Sequence, residues 1–183
     1  MEGNANSGVR VVVYEDLQCL DCAVYRQMMD EQLLPTFGAQ AAFEHRDFPL
    51  PKHEWARKAA IAARFFASSN PETAVAFRRA TLANLTALNP EKFNEHLSAF
   101  ANRRGVEPAR AYRALDDPRY AALVEADYQE GIARGIEKTP TVFVNGQRFV
   151  EQFQFQAVAE AILGELEASN RLAPFAESGK PAK

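Results

Sequence analysis

The sequence predicts an α/β fold in which a helical block of about eighty residues interrupts a small sheet. Three observations carry this. A short β-branched run, "VRVVVY" at residues 9–14, leads into a helical pattern and then a second strand-like run at 41–47. Residues 53 to about 135 show helical periodicity and no strand signal. Then "TVFVNGQRFVE" at 141–151 sets two β-rich runs around Asn145-Gly146, the residues a primed hairpin turn favours.

The first run is too short for a helix and too apolar for an exposed edge, so it reads as a buried strand placed centrally in a sheet. Residues 20–34 follow with helical spacing. Val24 and Met28, joined by Tyr25, Met29 and Leu33, are expected on the inward face, with the helix ending before Pro35 and Gly38. The strand at 41–47, closed by Pro49 and Pro51, completes a strand–helix–strand crossover unit. In the helical block, Pro71, Pro90, Pro108 and Pro118 each stand where a first helical turn accepts proline. A final helix over about 154–168 places Phe155, Val158, Ile162 and Leu166 inward. The expected division is therefore one discontinuous α/β domain, 9–52 and 136–170, with a helical insertion and linking helix at 53–135. Residues 1–8 and 171–183 are expected to be flexible termini.

Composition narrows the function. Twenty-one Lys and Arg against 24 Asp and Glu leave a net charge of −3 without a block of like charge, so nothing favours a nucleic-acid partner. No apolar stretch approaches the length a membrane helix needs. The N-terminal "MEGNANSG" lacks the charged and apolar regions of a secretory signal.

The only two cysteines, Cys19 and Cys22, lie two residues apart. One such pair cannot form the disulfide framework of a small secreted domain. A structural zinc needs about four Cys or His ligands, and His45, His53 and His96 are isolated, so no metal is expected. A Cys-x-x-Cys at a strand-to-helix junction instead sets its first sulfur beside unpaired backbone N–H groups. These donors and the helix dipole lower that thiol's pKa below its free value of about 8.5. Cys19 is then the nucleophile, and Cys22, one turn along, resolves the mixed disulfide. No cofactor is needed for this chemistry. Thr139-Pro140-Thr141, just before the hairpin, is the second element: a proline at a strand entry supplies no N–H, and a corner there can pair with an extended substrate.

These stretches, "VVVYEDLQCLDC", "DFPLPKHEWARKAAIAARF" and "GIEKTPTVFVNGQRF", together resemble the DsbA-like branch of the thioredoxin superfamily, in the right order and covering about residues 9–168. The resemblance implies a thioredoxin fold with an inserted all-helical domain and thiol-disulfide exchange with protein or peptide thiols and disulfides. It also implies an extracytoplasmic compartment, periplasm or cell envelope, and a redox-regenerating partner, a membrane-bound one included. It implies a cis bond at Pro140, with Thr139 beside the sulfurs. A monomer is the default expectation, and a thioredoxin-fold binding or redox-sensing module with little turnover is the rival reading.

Two departures from the family pattern stand out. The dipeptide between the cysteines is Leu20-Asp21, where the most oxidising relatives carry a histidine. Asp21 repels a thiolate, so a smaller pKa depression at Cys19 is expected. No extended segment is recognisable before the first strand, so an edge strand found in some relatives is expected to be missing. Asp16 matches the family's acidic position, where it either assists proton transfer to Cys22 or takes a capping or surface role. Glu15 is a weaker candidate; His45 reads as a packed or edge residue and His53 as a cap or a solvated residue. Trp55, Phe65 and Phe66 read as core of the helical block.

Overall fold

The computed structural model describes residues 1–150 and 154–177, with side chains to residue 170. Five strands form one mixed sheet: β1 (Glu2–Gly3), β2 (Arg10–Glu15), β3 (Ala42–Asp47), β4 (Thr141–Val144) and β5 (Gln147–Val150), in the order β1-β3-β2-β4-β5. The β-branched run of β2 occupies the centre. It pairs parallel with β3, Val11 opposite Phe43, and antiparallel with β4, Val11 opposite Val144. Being covered on both faces, β2 reads as a continuous apolar run rather than an alternating one. In the β4–β5 turn, Asn145 and Gly146 have φ of 43° and 99°, the left-handed pair a primed turn requires. Glu151, the last residue of the expected hairpin, lies outside the described residues.

On one face, Val11 and Val13 pack against Tyr25, Met29 and Leu33 and against Val158 and Ile162 of the last helix, α8 (Phe155–Glu177). Tyr14, Phe48 and Ile136 form the core of the opposite face. There Gly131 comes so close that an added Cβ would stand 2.5 Å from the Phe48 ring. The helix α8 runs beyond the expected end at about residue 168, through Glu177; residues 178–183 lie outside the described part.

Between β3 and β4 the chain forms α3 (Ala56–Ser69), α4 (Pro71–Ala83), α5 (Pro90–Arg103), α6 (Pro108–Ala114) and α7 (Pro118–Ala133). Side-chain caps start three of them: Asn70 accepts from Glu72 N–H, Asn89 from Lys92 N–H and Asp117 from Arg119 N–H. The prolines beside these caps occupy first-turn positions that need no donor. The core of the block contains Trp55 stacked on Phe93 and the interlocked rings of Phe66, Phe77 and Phe100. This core is continuous with Leu17, Cys19 and Cys22.

Three expectations need correction. The helix after β2 does not end before Pro35. It runs as α1 (Leu20–Met28), a π turn (Met29–Leu33) and α2 (Leu34–Phe37), the wider turn carrying the chain past a residue without an N–H. Its inward face is Cys22, Tyr25, Met29 and Leu33, whereas Val24 is 68% exposed. The phase is set by the need to bury Cys22, and residues three and four along follow it inward.

The third correction concerns residues 1–8, which are neither flexible nor without a strand. β1 pairs antiparallel with β3, Glu2 opposite Phe43, and forms the edge. Asn4 N–H and the Ser7 hydroxyl donate to the Ala41 and Gln40 carbonyls. Glu2 is tied to Arg26 at 2.6 Å, to His45 at 2.9 Å and to Arg79 at 2.5 Å. The same buried ion network continues from His45 through Glu15 and Arg78 to Asp47 and Arg64. A two-residue strand carries too little pattern to be legible; what holds it is charge pairing with distant residues.

Candidate active site

The site grows from the junction of β2 and α1. After Glu15 the chain turns, Cys19 N–H donating to the Asp16 carbonyl at 3.1 Å. Cys19 occupies the N-cap position of α1 with extended backbone (φ −96°, ψ 126°) and no side-chain cap bond. Its sulfur therefore faces the first-turn N–H groups that an Asp or Ser cap would otherwise occupy. Leu20 and Asp21 stand on the exposed rim, and Cys22, one turn in, is buried at 1% exposure.

Long-range packing supplies the rest. The Thr139–Pro140 bond is cis, and the corner it makes sits against α1 so that Cys19 Sγ lies 3.2 Å from the Thr139 carbonyl oxygen. The Thr139 hydroxyl is buried beside it and, among the described residues, is engaged by no group other than the Cys19 sulfur. Both cysteines are free thiols. The Cys22 S–H as donor is the largest influence on Cys19; the Thr139 side chain and the Cys22 and Asp21 N–H groups act the same way, and together they outweigh burial and hold its pKa at about 6. A carbonyl accepting from the Cys19 S–H favours the thiol, so the donors win against that contact too. Cys22 moves oppositely: burial, then the neighbouring Cys19, push its pKa well above the ordinary thiol value.

Asp16 lies directly beneath. Its N–H is 3.4 Å from Cys22 Sγ. Its carboxylate accepts from Gln18 N–H at 2.6 Å and from Leu50 N–H at 2.7 Å, and lies 2.7 Å from His53 Nδ1. Burial raises its pKa despite these bonds. Asp16 is thus no surface residue and does not cap α1; it joins the loop after β2 to the loop after β3. Two contributors had no sequence signal of their own. His53, expected to be a cap or a solvated residue, instead meets the Asp16 carboxylate, and Gln18, whose Oε1 accepts from Trp55 and Ala56 N–H, anchors the cysteine turn to the helical block. The spacing of 34 to 38 residues between these partners follows no local pattern.

A groove of about 470 Å³ runs beside the sulfurs, lined by Cys19, Asp21, Leu50, Lys52, Glu137 and Thr139 among others. Among the described residues no group of three or more His, Cys, Asp or Glu is placed to hold a metal, and no helix is long and apolar enough to cross a membrane.

A thioredoxin-type sheet with a helical insertion, carrying a Cys-x-x-Cys at the first helix and a cis-proline corner opposite, defines the class: a thioredoxin-superfamily fold with an inserted helical domain. The chain belongs to the thioredoxin family, whose model matches residues 1–163. The fold is similar to that of BdbD from Bacillus subtilis, with a TM-score of 0.79, 20% identity and 91% of each chain covered. It is similar also to alpha-DsbA1 from Wolbachia pipientis, with a TM-score of 0.80, 16% identity and 92% of each chain. A third similar structure is that of alpha-DsbA2 from the same organism, a thiol-disulfide exchange protein, with a TM-score of 0.75 and 19% identity over 88% of this chain and 83% of that one. Two curated relatives are Na(+)/H(+) antiporters. NhaA of Herminiimonas arsenicoxydans is 29% identical over 93% of this chain and 25% of that protein, and NhaA 3 of Salinispora tropica is 27% identical over 95% and 26%. The chain spans about a quarter of the length of these curated relatives.

Proposed function

We propose that this protein is a thiol-disulfide oxidoreductase that exchanges disulfides with protein or peptide substrates through Cys19 and Cys22, in an extracytoplasmic compartment. One observation carries the reading. Cys19 stands as an acid-shifted thiol at a helix N-terminus, only 8% exposed but lining the groove and 3.2 Å from the Thr139 carbonyl, with a more deeply buried, reluctant thiol one turn behind it.

The asymmetry assigns the steps. In the disulfide form, a substrate thiolate attacks Cys19 Sγ; the Cys19–Cys22 bond breaks, and Cys22 leaves with the electron pair and takes a proton. A second substrate thiolate attacks the substrate sulfur of the mixed disulfide and Cys19 leaves as a thiolate, the better leaving group because its pKa is low. Two electrons pass from substrate to protein, and a regenerating partner removes them. In the reverse direction Cys19 thiolate attacks a substrate disulfide and Cys22, losing its proton, resolves the intermediate. Thr139 and Pro140 shape the substrate groove, Leu20 and Asp21 tune the pair, and Asp16, whose backbone N–H lies 3.4 Å from Cys22 Sγ, is the carboxylate assigned to the Cys22 proton.

Equilibration of the cysteine pair with glutathione, read by alkylation and mass, tests this. A potential near about −120 to −180 mV makes the protein a disulfide donor or isomerase, and one near about −270 mV a reductase. No exchange at all overturns the reading. A second reading draws on the antiporter relatives, which match along nearly the whole chain: a redox-sensing module, joined or bound to an ion transporter, with little turnover. It expects slow exchange and partner affinity that changes with the disulfide state.

A further inference from the structure

A second groove, of about 550 Å³, opens on the other side of α1, where its outer face meets the end of α4. Its upper wall is apolar: Leu20, Ala23 and Val24 from α1, facing Leu82 and Ala83 from α4. Leu20 and Val24 are four residues apart on one helix face and are 62% and 68% exposed, among the most exposed large apolar side chains of the described part. Neither is needed by the core, which α1 serves with Cys22 and Tyr25.

At its far end the charged residues other than Glu31 are paired with one another. Arg26 and Arg79 both pair with Glu2 and Asp30, and Gln27 donates to Glu31. An occupant over Leu20 and Val24 therefore meets aliphatic surface, with closed ion pairs and the single Glu31 carboxylate at the far end. The groove beside Thr139 differs in this respect, its rim including Asp21, Lys52 and Glu137.

What reaches the apolar groove is fixed by the chemistry next to it. Leu20 follows Cys19 directly, and a mixed disulfide holds the partner's Cα within about 4.4–6.8 Å of the Cys19 Cα. An extended chain advances about 3.3 Å per residue, and Leu20 to Val24 spans about 6 Å of helix. Side chains roughly two to four residues from the bonded cysteine are therefore within reach of Leu20 and Val24.

The geometry points to a subsite for substrate aliphatic residues: while a polypeptide is bonded to Cys19, the α1–α4 groove holds a leucine-like side chain two to four residues from its cysteine. The substrate class is then unfolded or extended chain with apolar residues flanking the thiol. This inference rests on the exchange activity proposed above.

The test follows reaction of the oxidised protein with two dithiol peptides, one carrying leucine three residues to either side of a cysteine, the other serine, and with glutathione. The leucine peptide is expected to react about tenfold faster than the serine peptide, equivalent to about 1.4 kcal/mol. Val24→Glu and Ala83→Glu, exposed positions on two different helices, should each remove that advantage, while Val24→Ile keeps it. Glutathione and the serine peptide should stay within about twofold of the parent protein. Equal rates for the two peptides, or a loss that falls equally on glutathione, overturn the subsite and leave the activity standing. Absence of exchange with glutathione in the parent protein overturns both.

Discussion

The acidity of Cys19 is attributed first to the Cys22 thiol beside it, so removing that thiol should be visible in the Cys19 titration alone. Cys22→Ala deletes the S–H donor and leaves the α1 N–H groups and Thr139 in place. A hydrogen bond to a charged group is worth about 1.5–3 kcal/mol, and one pKa unit corresponds to about 1.4 kcal/mol. Cys19 is close enough to the surface for solvent to screen part of this, so the low end applies, about one pKa unit. The apparent value should rise from about 6 in the parent protein to about 7. In rate terms, alkylation by iodoacetamide at pH 6 should slow about fivefold, since the thiolate fraction falls from about one half to about one tenth, and should converge at pH 9.

Cys22→Ser supplies the control, because its hydroxyl can replace the donor, and it should titrate close to the parent protein. An alanine variant that titrates at about 6 refutes the attribution and leaves the helix start and Thr139 as the cause. The linkage has a definite sign. The folded pKa lies below the free value of about 8.5, so the thiolate stabilises the reduced fold fully above that pH. The contribution is lost as pH falls through about 6. The reduced parent protein should gain stability across this window, and the alanine variant should gain less.

Two further outcomes are expected. Asp21→Asn removes an exposed negative charge from the first turn of α1 and should lower the Cys19 pKa by a few tenths, measured by the same alkylation profile at low salt; an unchanged or higher value contradicts the repulsion argument. Glu2→Gln breaks a buried cluster with His45, Arg26 and Arg79 and should cost about 3 kcal/mol, a fall of about 6–12 °C in Tm by calorimetry. Burial alone would raise the Glu2 pKa, but the His45 and Arg26 bonds bring it down to about 2. The stabilisation is therefore full above the ordinary value of 4.5 and lost as pH falls through about 2. An acid-unfolding curve no flatter in the variant than in the parent protein would count against the cluster.

Local signals made much of the fold legible. The β-branched run of β2, the Asn145-Gly146 turn and the prolines at helix starts each act within a few residues of themselves, so the pattern alone places them. The site was half legible for the same reason. Cys19 and Cys22 announce their chemistry by spacing and by position at a helix start, and the Thr139-Pro140 corner is marked by its proline. Asp16 was recognisable as a candidate, but its partners Leu50 and His53 were not, because they come from the other side of the sheet's connecting loops.

What the sequence determined by itself was the order of elements from β2 onward and the place of the cysteine pair at a helix start, since backbone propensity, turn chemistry and the helix dipole are local effects. Only the tertiary structure decided which face of α1 is inward, and with it the exposure of Leu20 and Val24. Burying Cys22 against the helical core fixes that phase, and no window of the α1 sequence contains the other wall of that core. The same holds for Glu2. Its edge strand exists because His45, Arg26 and Arg79, up to 77 residues away, meet its carboxylate in one buried place. Interactions between residues remote in sequence become determinate only when the chain has closed around them.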